Sequence, residues 1–255
     1  MGNNTLSLIL PFSLLVVLIF LYWRIRWKRL KSYQSSVLGL IEVWGKYNGE
    51  KVLTINKYSH GISIDDKTIR RSYWYFIAQE VIHHIKQKND AQVLFLGLGA
   101  NASSGIIHRG NPHVKQTIIE IDENIIQACR DFFQLDEMKN INIVKGDAYK
   151  LIDKRSDFYK KFDAIVVDIF TGIPPYVSTQ TNRPPFINKL LKWLKKEGRI
   201  IFNRPANIKA DREDTKKLFS YLKTLFKEVK STYIDDPRGY KNDILTATGI
   251  KNKNN

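Results

Sequence analysis

The stretch VLFLGLGAN at residues 93–101 decides the fold. Its first half is a short apolar run, which is typical of a strand that is buried on both faces of a sheet. Gly97 and Gly99 follow, and glycines at this point let the backbone approach a ligand closely and turn into the next helix. A buried strand that ends in a glycine turn predicts the first unit of an alternating strand–helix domain, whose ligand site lies at the carboxyl ends of the strands.

The chain beyond this turn repeats the alternation of strands and helices. Further strands are predicted at residues 116–121, 141–145, 164–168 and 199–203, and helices at residues 123–133, 185–195 and 211–225. Residues 228–233 and 244–248 read as two strands with no room for a crossover helix between them, so an antiparallel pair is expected. The predicted fold class is therefore α/β, with a doubly wound, mostly parallel, Rossmann-like sheet.

Toward the N-terminus the pattern changes to a small β-rich region. Residues 51–56 and 61–64 read as short strands, and residues 69–88 place apolar side chains along one face of a helix. His83 and His84 lie on this helix without a second set of ligands, so no metal site is predicted. The chain divides into a membrane anchor with a basic segment, the β-rich region with its helix, the α/β domain and a tail, at residues 1–31, 32–90, 91–250 and 251–255.

The N-terminal segment is predicted to cross a membrane. Residues 6–23 read LSLILPFSLLVVLIFLYW without a charge, and as a helix they come close to spanning a hydrocarbon core of roughly 30 Å. A cleaved signal peptide and a buried core helix are the alternatives, but no basic side chain precedes the run, whereas cations follow it from Arg24 to Lys31. The pattern favours an uncleaved, single-pass transmembrane helix, with residues 6–31 contacting membrane lipid and the catalytic domain in the cytoplasm.

The composition excludes several classes of protein. The chain carries 41 Lys and Arg against 25 Asp and Glu, a formal net charge of +16, and 43% of its residues are hydrophobic. This excludes a disordered chain and a multi-span membrane protein, and the lone Cys129 excludes a disulfide framework and a Cys-rich zinc site. The basic charge is interpreted as a solvated surface beside an anionic membrane. Nucleic acid is the less favoured partner, because no RNA-binding module is recognisable.

Acidic residues stand at the ends of the next three predicted strands. Glu120, followed by Ile121, comes about 20 residues after the glycine turn, where a carboxylate can accept both hydroxyls of a ribose. Asp147, followed by Ala148, is placed to accept from the exocyclic amine of adenine, and Asp168 ends the fourth strand. Each carboxylate alone could equally be a helix N-cap or a solvated loop charge. Together they predict a site for an adenosine-bearing ligand.

This ligand is expected to lack phosphates. The glycine turn has no third glycine of the dinucleotide fingerprint, and no phosphate-binding lysine loop follows it. S-adenosylmethionine fits such a site better than NAD or ATP. Residues 171–185 form a long, proline-containing loop after the fourth strand, and this loop is expected to cover the site.

Four segments carry a family resemblance. VLFLGLGAN, IIEIDENII, INIVKGDAYKLI and FDAIVVDIF resemble the spermidine-synthase-like branch of the class I methyltransferase fold. The resemblance implies S-adenosylmethionine or its decarboxylated form as the donor and Asp168 as the acidic residue beside the reacting centre. A small-molecule acceptor and a homodimeric assembly are further expectations. The residues that would hold the tail, the ribose and the adenine of the donor are, in that order, Gly97 with Gly99, Glu120 with the adjacent Ile121, and Asp147 with Ala148.

The sequence departs from this family where a polyamine would bind. GLGAN replaces GGGDG, so Ala100 occupies the acidic position; Thr171 replaces the second aspartate after the fourth strand; and YWY at residues 73–75 replaces Tyr-His-Glu. A diamine carries two positive charges, whose lost hydration fixed carboxylates must replace. The pattern therefore predicts methyl or related alkyl transfer to an unidentified nucleophile that Asp168 orients or deprotonates. Aminopropyl transfer and a non-catalytic, membrane-tethered binding protein remain the alternatives.

Overall fold

The computed structural model describes residues 26–65, 67–170 and 180–252, together with Leu18. Apart from Leu18, the predicted transmembrane helix at residues 6–23 lies outside the described residues, as does most of the predicted covering loop. In the described part of the chain, no helix combines the length and the apolar character needed to cross a membrane.

The chain begins with an antiparallel sheet of four strands in the order β1-β2-β3-β4. Apolar side chains from one face of this sheet pack into the core that it shares with the following helices and with the larger sheet. Two of the strands, β1 and β2, are not predicted from the sequence. The four strands are β1 (Lys28–Ser35), β2 (Gly39–Gly45), β3 (Lys51–Ile55) and β4 (Tyr58–Ile62).

Strand β1 corrects the interpretation of the basic segment. The predicted boundary between residues 31 and 32 falls inside β1, which pairs with β2 from Lys28 onward. Arg29 forms an ion pair with Glu42 at 3.1 Å, and Lys31 forms one with Asp131 at 2.7 Å. Arg29 therefore pairs within the N-terminal sheet and Lys31 pairs with the α/β domain, whereas the sequence pattern assigns both to a juxtamembrane segment. The strand was missed because it lies at an edge with most side chains exposed, so no alternation of apolar residues marks it.

Helix α1 (Tyr73–Ile85) connects the two sheets. The predicted helix over residues 69–88 is interrupted, because a short 3-10 turn at Ile69–Arg71 comes first. Helix α1 begins after Ser72, whose hydroxyl oxygen accepts a hydrogen bond from the backbone N–H of Tyr75 at 3.3 Å. This cap sets Tyr73 and Trp74 in the first turn of the helix, and both side chains are buried.

The larger sheet confirms the predicted α/β fold with a mostly parallel sheet. Its seven strands lie in the order β10-β11-β9-β8-β5-β6-β7. The five strands β5 to β9 are mutually parallel, and β11 pairs antiparallel with both β9 and β10, as expected for a terminal hairpin. The strands are β5 (Gln92–Leu96), β6 (Lys115–Glu120), β7 (Ile141–Lys145), β8 (Phe162–Val167), β9 (Leu194–Pro205), β10 (Phe226–Asp235) and β11 (Lys241–Ile250).

Helices connect these strands and cover both faces of the sheet. The helices are α2 (Ala102–Gly110), α3 (Glu123–Phe132), α4 (Ala148–Leu151), α5 (Pro184–Leu191) and α6 (Lys209–Leu225). Helix α5 ends at Leu191, so the predicted helix over residues 185–195 is wrong in its last turn. The backbone of Trp193 instead accepts hydrogen bonds from the N–H groups of Lys161 and Phe162, and β9 begins at the next residue. Residues 195–197 read KKE and have a high helix propensity, so the sequence pattern extended the helix over the start of the strand.

The core lies on both faces of the central strands. All six residues of β8 are buried, as the long apolar run predicts for an inner parallel strand. Apolar side chains on one face pack against α1, α2, α3 and the N-terminal sheet, and those on the other face pack against α5 and α6. This arrangement fixes the carboxyl ends of β5, β6, β7 and β8 along one edge of the sheet, next to the N-terminal strands.

Candidate active site

A cleft opens at this edge, with a cavity of about 280 Å³. The turns after β5, β6, β7 and β8 form its floor, and Leu38, Ile55 and His60 of the N-terminal region line it from the other side. The residues that the sequence predicts for the site all line this one cavity: Gly97, Gly99, Glu120, Ile121, Asp147, Ala148 and Asp168. Their contacts with a ligand stay predictions, but the structure brings them together.

The two glycines make room first of all for neighbouring protein backbone. Gly97 has φ +93°, and a Cβ atom there would clash with the carbonyl oxygen of Asp168. Gly99 has φ +53°, and a Cβ atom there would lie 2.5 Å from the carbonyl oxygen of His60. Both positions therefore need glycine for its backbone conformation and for its lack of a side chain. The turn after β5 is fixed against β8 on one side and against the N-terminal sheet on the other.

Glu120 is held in place by backbone donors. Its side chain is buried, with Oε2 accepting from the N–H of Leu98 and Oε1 from the N–H of Asp122, each at 2.9 Å. Burial raises the pKa of the Glu120 carboxyl, and the backbone hydrogen bonds from Asp122 and Leu98 oppose that rise. Each carboxylate oxygen has a second lone pair, so two further donors can approach from the cleft. This geometry suits the two adjacent hydroxyls of a ribose.

Asp147 serves as a helix cap as well as a cleft residue. Its Oδ1 accepts from the N–H of Tyr149 at 2.9 Å, so it caps the short helix α4. The alternative interpretation of this carboxylate as a helix N-cap is therefore correct. Asp147 lines the cavity as well. Asp122 plays a similar part for α3, accepting from the N–H of Asn124 at 2.8 Å and contacting the hydroxyl of Ser35 at the end of β1.

Asp168 lies at the start of a chain of buried amides. Its Oδ1 accepts from Nδ2 of Asn203 at 2.7 Å, and Oδ1 of Asn203 accepts from Nδ2 of Asn242 at 2.8 Å. Burial raises the pKa of Asp168 to about 6, and the hydrogen bond from Asn203 opposes that rise. The backbone N–H of Asp168 donates to Leu96 at 3.0 Å, which fixes the residue to the neighbouring strand. The carboxylate is thus rigidly placed and close to its titration point at neutral pH.

Tyr73 completes this side of the cleft. Its buried side chain lines the cavity, and its hydroxyl lies near the side chain of Asn203. Burial raises the pKa of Tyr73 well above its ordinary value, and the nearby carboxylates of Asp168 and Asp236 raise it further. The Tyr73 hydroxyl therefore stays protonated and can donate a hydrogen bond toward the cleft.

Sequence reasoning missed Asn203 as a site residue. It ends the predicted strand at residues 199–203, so the strand-end rule that identified Asp168 applies to it equally. Asn242 carries no comparable signal, because it lies near the start of an antiparallel strand and reaches the site only through Asn203. Ala100 is buried and faces the backbone of Gly61, and it does not line the cavity.

Metal chemistry finds no support in the described ranges. No group of three or more His, Cys, Asp or Glu side chains that could hold a metal ion occurs among residues 26–65, 67–170 and 180–252. Of the two helical histidines, His83 is exposed, and His84 is half-buried with a pKa lowered to about 4 by burial and by the charges of Arg199 and Lys88. Cys129 is buried within α3.

The chain is similar in sequence to spermine and spermidine synthases and, over a shorter stretch, to a methyltransferase homolog. The family model described as the spermine/spermidine synthase domain matches residues 75–255. A polyamine aminopropyltransferase of Saccharolobus solfataricus is 23% identical over 223 residues, which covers 83% of this chain and 73% of that protein. An eEF1A lysine and N-terminal methyltransferase homolog of Drosophila melanogaster is 25% identical over 88 residues, covering 34% of this chain and 13% of that protein.

Solved structures share the fold at low sequence identity. The structure of a probable spermidine synthase from Corynebacterium glutamicum superposes with a TM-score of 0.70 at 18% identity. The match covers 87% of this chain and 79% of that one. At this identity the likeness concerns the fold.

Proposed function

Because the chain belongs to the spermine/spermidine synthase domain family, whose model matches residues 75–255, we propose that it is an aminopropyl transferase. Its donor is decarboxylated S-adenosylmethionine, and its acceptor is an amine. The observation that carries the proposal is the presence in one cavity of Glu120, oriented by two backbone N–H groups, and Asp168, beside which the acceptor would react. The family match favours this reaction over the methyl transfer that the sequence pattern predicts.

The donor side of the cleft fits an adenosine with a thioether or sulfonium tail. Glu120 would accept the two ribose hydroxyls through the lone pairs that its backbone donors leave available. Asp147 and Ala148 at the start of α4 would contact the adenine edge, and Ile121 would pack on the ring. The glycine turn at Gly97 leaves no side chain between the tail of the donor and Asp168.

Asp168 would orient the acceptor for in-line displacement. The amine nitrogen forms a bond to the aminopropyl carbon next to the sulfonium, the carbon–sulfur bond breaks with its electron pair going to sulfur, and methylthioadenosine leaves. The nitrogen loses one proton, which Asp168 or water accepts. With a pKa of about 6, the Asp168 carboxylate is mostly ionised at pH 7 and can hold an ammonium group, yet it takes up a proton more readily than an ordinary aspartate. Positioning of the two reactants supplies most of the rate.

Donor binding and product analysis test this proposal. Calorimetry with decarboxylated S-adenosylmethionine, S-adenosylmethionine and methylthioadenosine is expected to show the first and third binding, and incubation with amines is expected to release methylthioadenosine. Glu120→Ala serves as the binding-deficient variant and Glu123→Ala, which changes an exposed carboxylate on α3, as its matched control. Absence of methylthioadenosine with every amine tested, from a folded protein that binds the donor, would contradict aminopropyl transfer.

Methyl transfer is the second candidate. The specific observation in its favour is Ala100, whose buried methyl group faces Gly61 where the family pattern has an acidic side chain for a cationic substrate. The 25% identity over 88 residues to a protein named as a methyltransferase homolog points the same way. Release of S-adenosylhomocysteine from S-adenosylmethionine, without methylthioadenosine from the decarboxylated donor, would select this candidate. Failure to bind any of these compounds would leave the non-catalytic alternative.

We also propose that residues 6–23 anchor the chain in a membrane as a single helix, with the α/β domain on the cytoplasmic side. The uncharged run and the cations after it support this. The full chain should stay with membranes in high salt, which removes proteins held by charge alone, and should be released by detergent. A chain beginning at Arg26 keeps all of β1 and should no longer sediment with membranes. Release of the full chain by salt would contradict the anchor.

A further inference from the structure

An ion pair in the turn between β10 and β11, Asp236 with Arg238, packs against Trp74 near Asp168. Trp74, the neighbour of Tyr73 in α1, borders a small cavity that it shares with Asp168. The guanidinium of Arg238 lies over the Trp74 ring, 5.3 Å from its centroid. Trp74 thus connects the reacting end of the cleft with an arginine from the C-terminal hairpin.

Arg238 is held by a buried carboxylate. Asp236 is almost fully buried, and its Oδ1 accepts from Nε of Arg238 at 2.8 Å while its Oδ2 accepts from Nη2 at 2.5 Å. The backbone N–H of Arg238 donates to the same Oδ1 at 2.9 Å. Such a two-point pair fixes the planar guanidinium in position and neutralises the carboxylate.

Asp236 is a second carboxylate near this side of the cleft, where it is buried behind the residues that line the cavity. The charges of both Asp168 and Asp236 raise the pKa of Tyr73, so both carboxylates lie near its hydroxyl. The cavity itself is lined by only three carboxylates among the described residues, and two of them, Glu120 and Asp147, belong to the side that would hold adenosine.

Residues 171–179, which follow the reacting strand, read TGIPPYVST and contain no acidic side chain. Among the described residues, Asp168 is the one carboxylate that lines the cavity outside the adenosine side, so a substrate with two ammonium groups would direct the second toward Asp236, whose charge acts on the cavity residue Tyr73. An ammonium group that leaves water needs a fixed opposite charge. The carboxylate of Asp236 cannot provide it, because it is already paired with the guanidinium of Arg238.

We propose that Arg238 determines the acceptor class: its guanidinium, fixed on Trp74 by Asp236, occupies the place of a second substrate cation and restricts the enzyme to amines with a single positive charge. This inference rests on the proposed aminopropyl transfer and narrows it. The acceptor is a monoamine whose far end is uncharged. The bonds made and broken are those of aminopropyl transfer: one amine nitrogen attacks the aminopropyl carbon, and methylthioadenosine leaves.

A pair of acceptors of equal length tests this inference. The full chain in detergent is assayed with decarboxylated S-adenosylmethionine and either 1-aminobutane or 1,4-diaminobutane, and kcat/KM is measured by methylthioadenosine release. The wild type should favour the monoamine by about tenfold or more, the scale on which an unpaired buried charge discriminates between substrates. Arg238→Gln frees Asp236 and should raise the ratio of diamine to monoamine kcat/KM by about tenfold.

Three further variants identify the cause of any change. Arg238→Met keeps an unbranched stem over Trp74 without the charge and should show the same gain, so it replaces Arg238→Gln if that variant melts below the assay temperature. Adding Asp236→Asn to either variant should abolish the gain, because the second ammonium then has no carboxylate. Arg109→Gln, which removes an exposed arginine that pairs with exposed Asp65, should leave the ratio unchanged.

The outcomes separate this inference from the proposed function. A wild type that uses the diamine as well as the monoamine, or an unchanged ratio in a folded Arg238→Gln, overturns the inference while leaving aminopropyl transfer intact. No methylthioadenosine from any amine overturns the proposed function instead. The inference is then decided by calorimetry of 1,4-diaminobutane with methylthioadenosine present: tighter binding to Arg238→Gln than to wild type supports it, and equal binding overturns it.

Discussion

The donor side and the acceptor side of the cleft are built in different ways. The donor side consists of the turns after β5, β6 and β7, and its carboxylate Glu120 is held by backbone N–H groups. The acceptor side consists of Tyr73 of α1 and Asp168 after β8, and side chains of β9 and of the hairpin of β10 and β11 pack behind them. There, Asp168 is held by the side chain of Asn203, and Asp236 by the side chain of Arg238.

This difference explains where function can change without loss of the fold. Backbone donors remain when neighbouring side chains are substituted, so the orientation of Glu120 depends on the course of the chain alone. Side-chain partners such as Asn203 and Arg238 are removed by single substitutions. We therefore expect substitutions on the acceptor side to alter turnover and specificity, and those on the donor side to alter binding and stability together.

The largest effect is expected at Asp168. Asp168→Asn keeps an oxygen that can accept from Asn203 but removes the charge, so single-turnover rates should fall by about 10²–10⁴ while donor affinity stays near wild type and the melting temperature does not fall. Asp153→Asn, which changes an exposed aspartate, is the control. Equal turnover in Asp168→Asn and wild type would refute its role in the reaction, and a large drop in stability would instead make Asp168 a structural residue.

The donor side should be rigid at Gly97. Gly97→Ala places a Cβ against the carbonyl oxygen of Asp168 at φ +93° and should lower the free energy of unfolding by about 3 kcal/mol. Gly49→Ala is a matched control, because Gly49 has φ +87° with no atom within 4 Å of an added Cβ. Its cost should be about 1 kcal/mol, from backbone conformation alone. Equal losses in urea unfolding of the two variants would show that the turn relaxes.

Glu120 should contribute to binding more than to turnover. Glu120→Ala removes charge-assisted hydrogen bonds and should weaken the binding of methylthioadenosine by about 1–3 kcal/mol in calorimetry. Stability should fall too, because the N–H groups of Leu98 and Asp122 lose their acceptor, so binding is measured well below the melting temperature. Affinity equal to that of Glu123→Ala in a folded protein would remove Glu120 from the site.

The smallest effect concerns pH. Since burial raises the pKa of Asp168 to about 6, kcat/KM should rise as the pH increases through that value and the carboxylate ionises. Asn203→Ala removes the hydrogen bond that lowers this pKa, so the midpoint should move upward, by up to about one unit or 1.4 kcal/mol. Asn188→Ala on the exposed face of α5 should leave the profile unchanged. A rate that is independent of pH between about 5 and 8 would contradict the assignment.

The same shift in pKa has a consequence for stability. The folded protein binds the proton of Asp168 more tightly than the unfolded chain does, because its folded pKa lies above the ordinary value of 3.8. The contribution of Asp168 to stability is therefore fully present below that ordinary value and is lost as the pH rises through about 6. Asp168 lowers the free energy of unfolding as the pH rises from 3.8 to about 6. Denaturant titrations of Asp168→Asn should not show this part of the decrease.

Much of the donor side could be predicted from the sequence, because parallel strands bring their carboxyl ends to one edge. A short apolar run followed by glycine or an acid was enough to place Gly97, Glu120, Asp147 and Asp168 in one cavity. The same rule would have found Asn203 if it had been applied to the fifth strand. Strand β1 escaped prediction because an exposed edge strand has no apolar alternation, and its lysines and arginines read equally well as a juxtamembrane segment.

The sequence by itself determined the order of strands and helices in the α/β domain, because strand and helix periodicity are local properties that a few neighbouring residues set. Only the tertiary structure decided the partners of the side chains. Asn203 meets Asp168 from 35 residues away, Arg238 lies on Trp74 from the far end of the chain, and Gly97 is required by the carbonyl oxygen of Asp168 on another strand. Such contacts leave no mark on either segment alone, since they depend on how the packed core brings the two segments together.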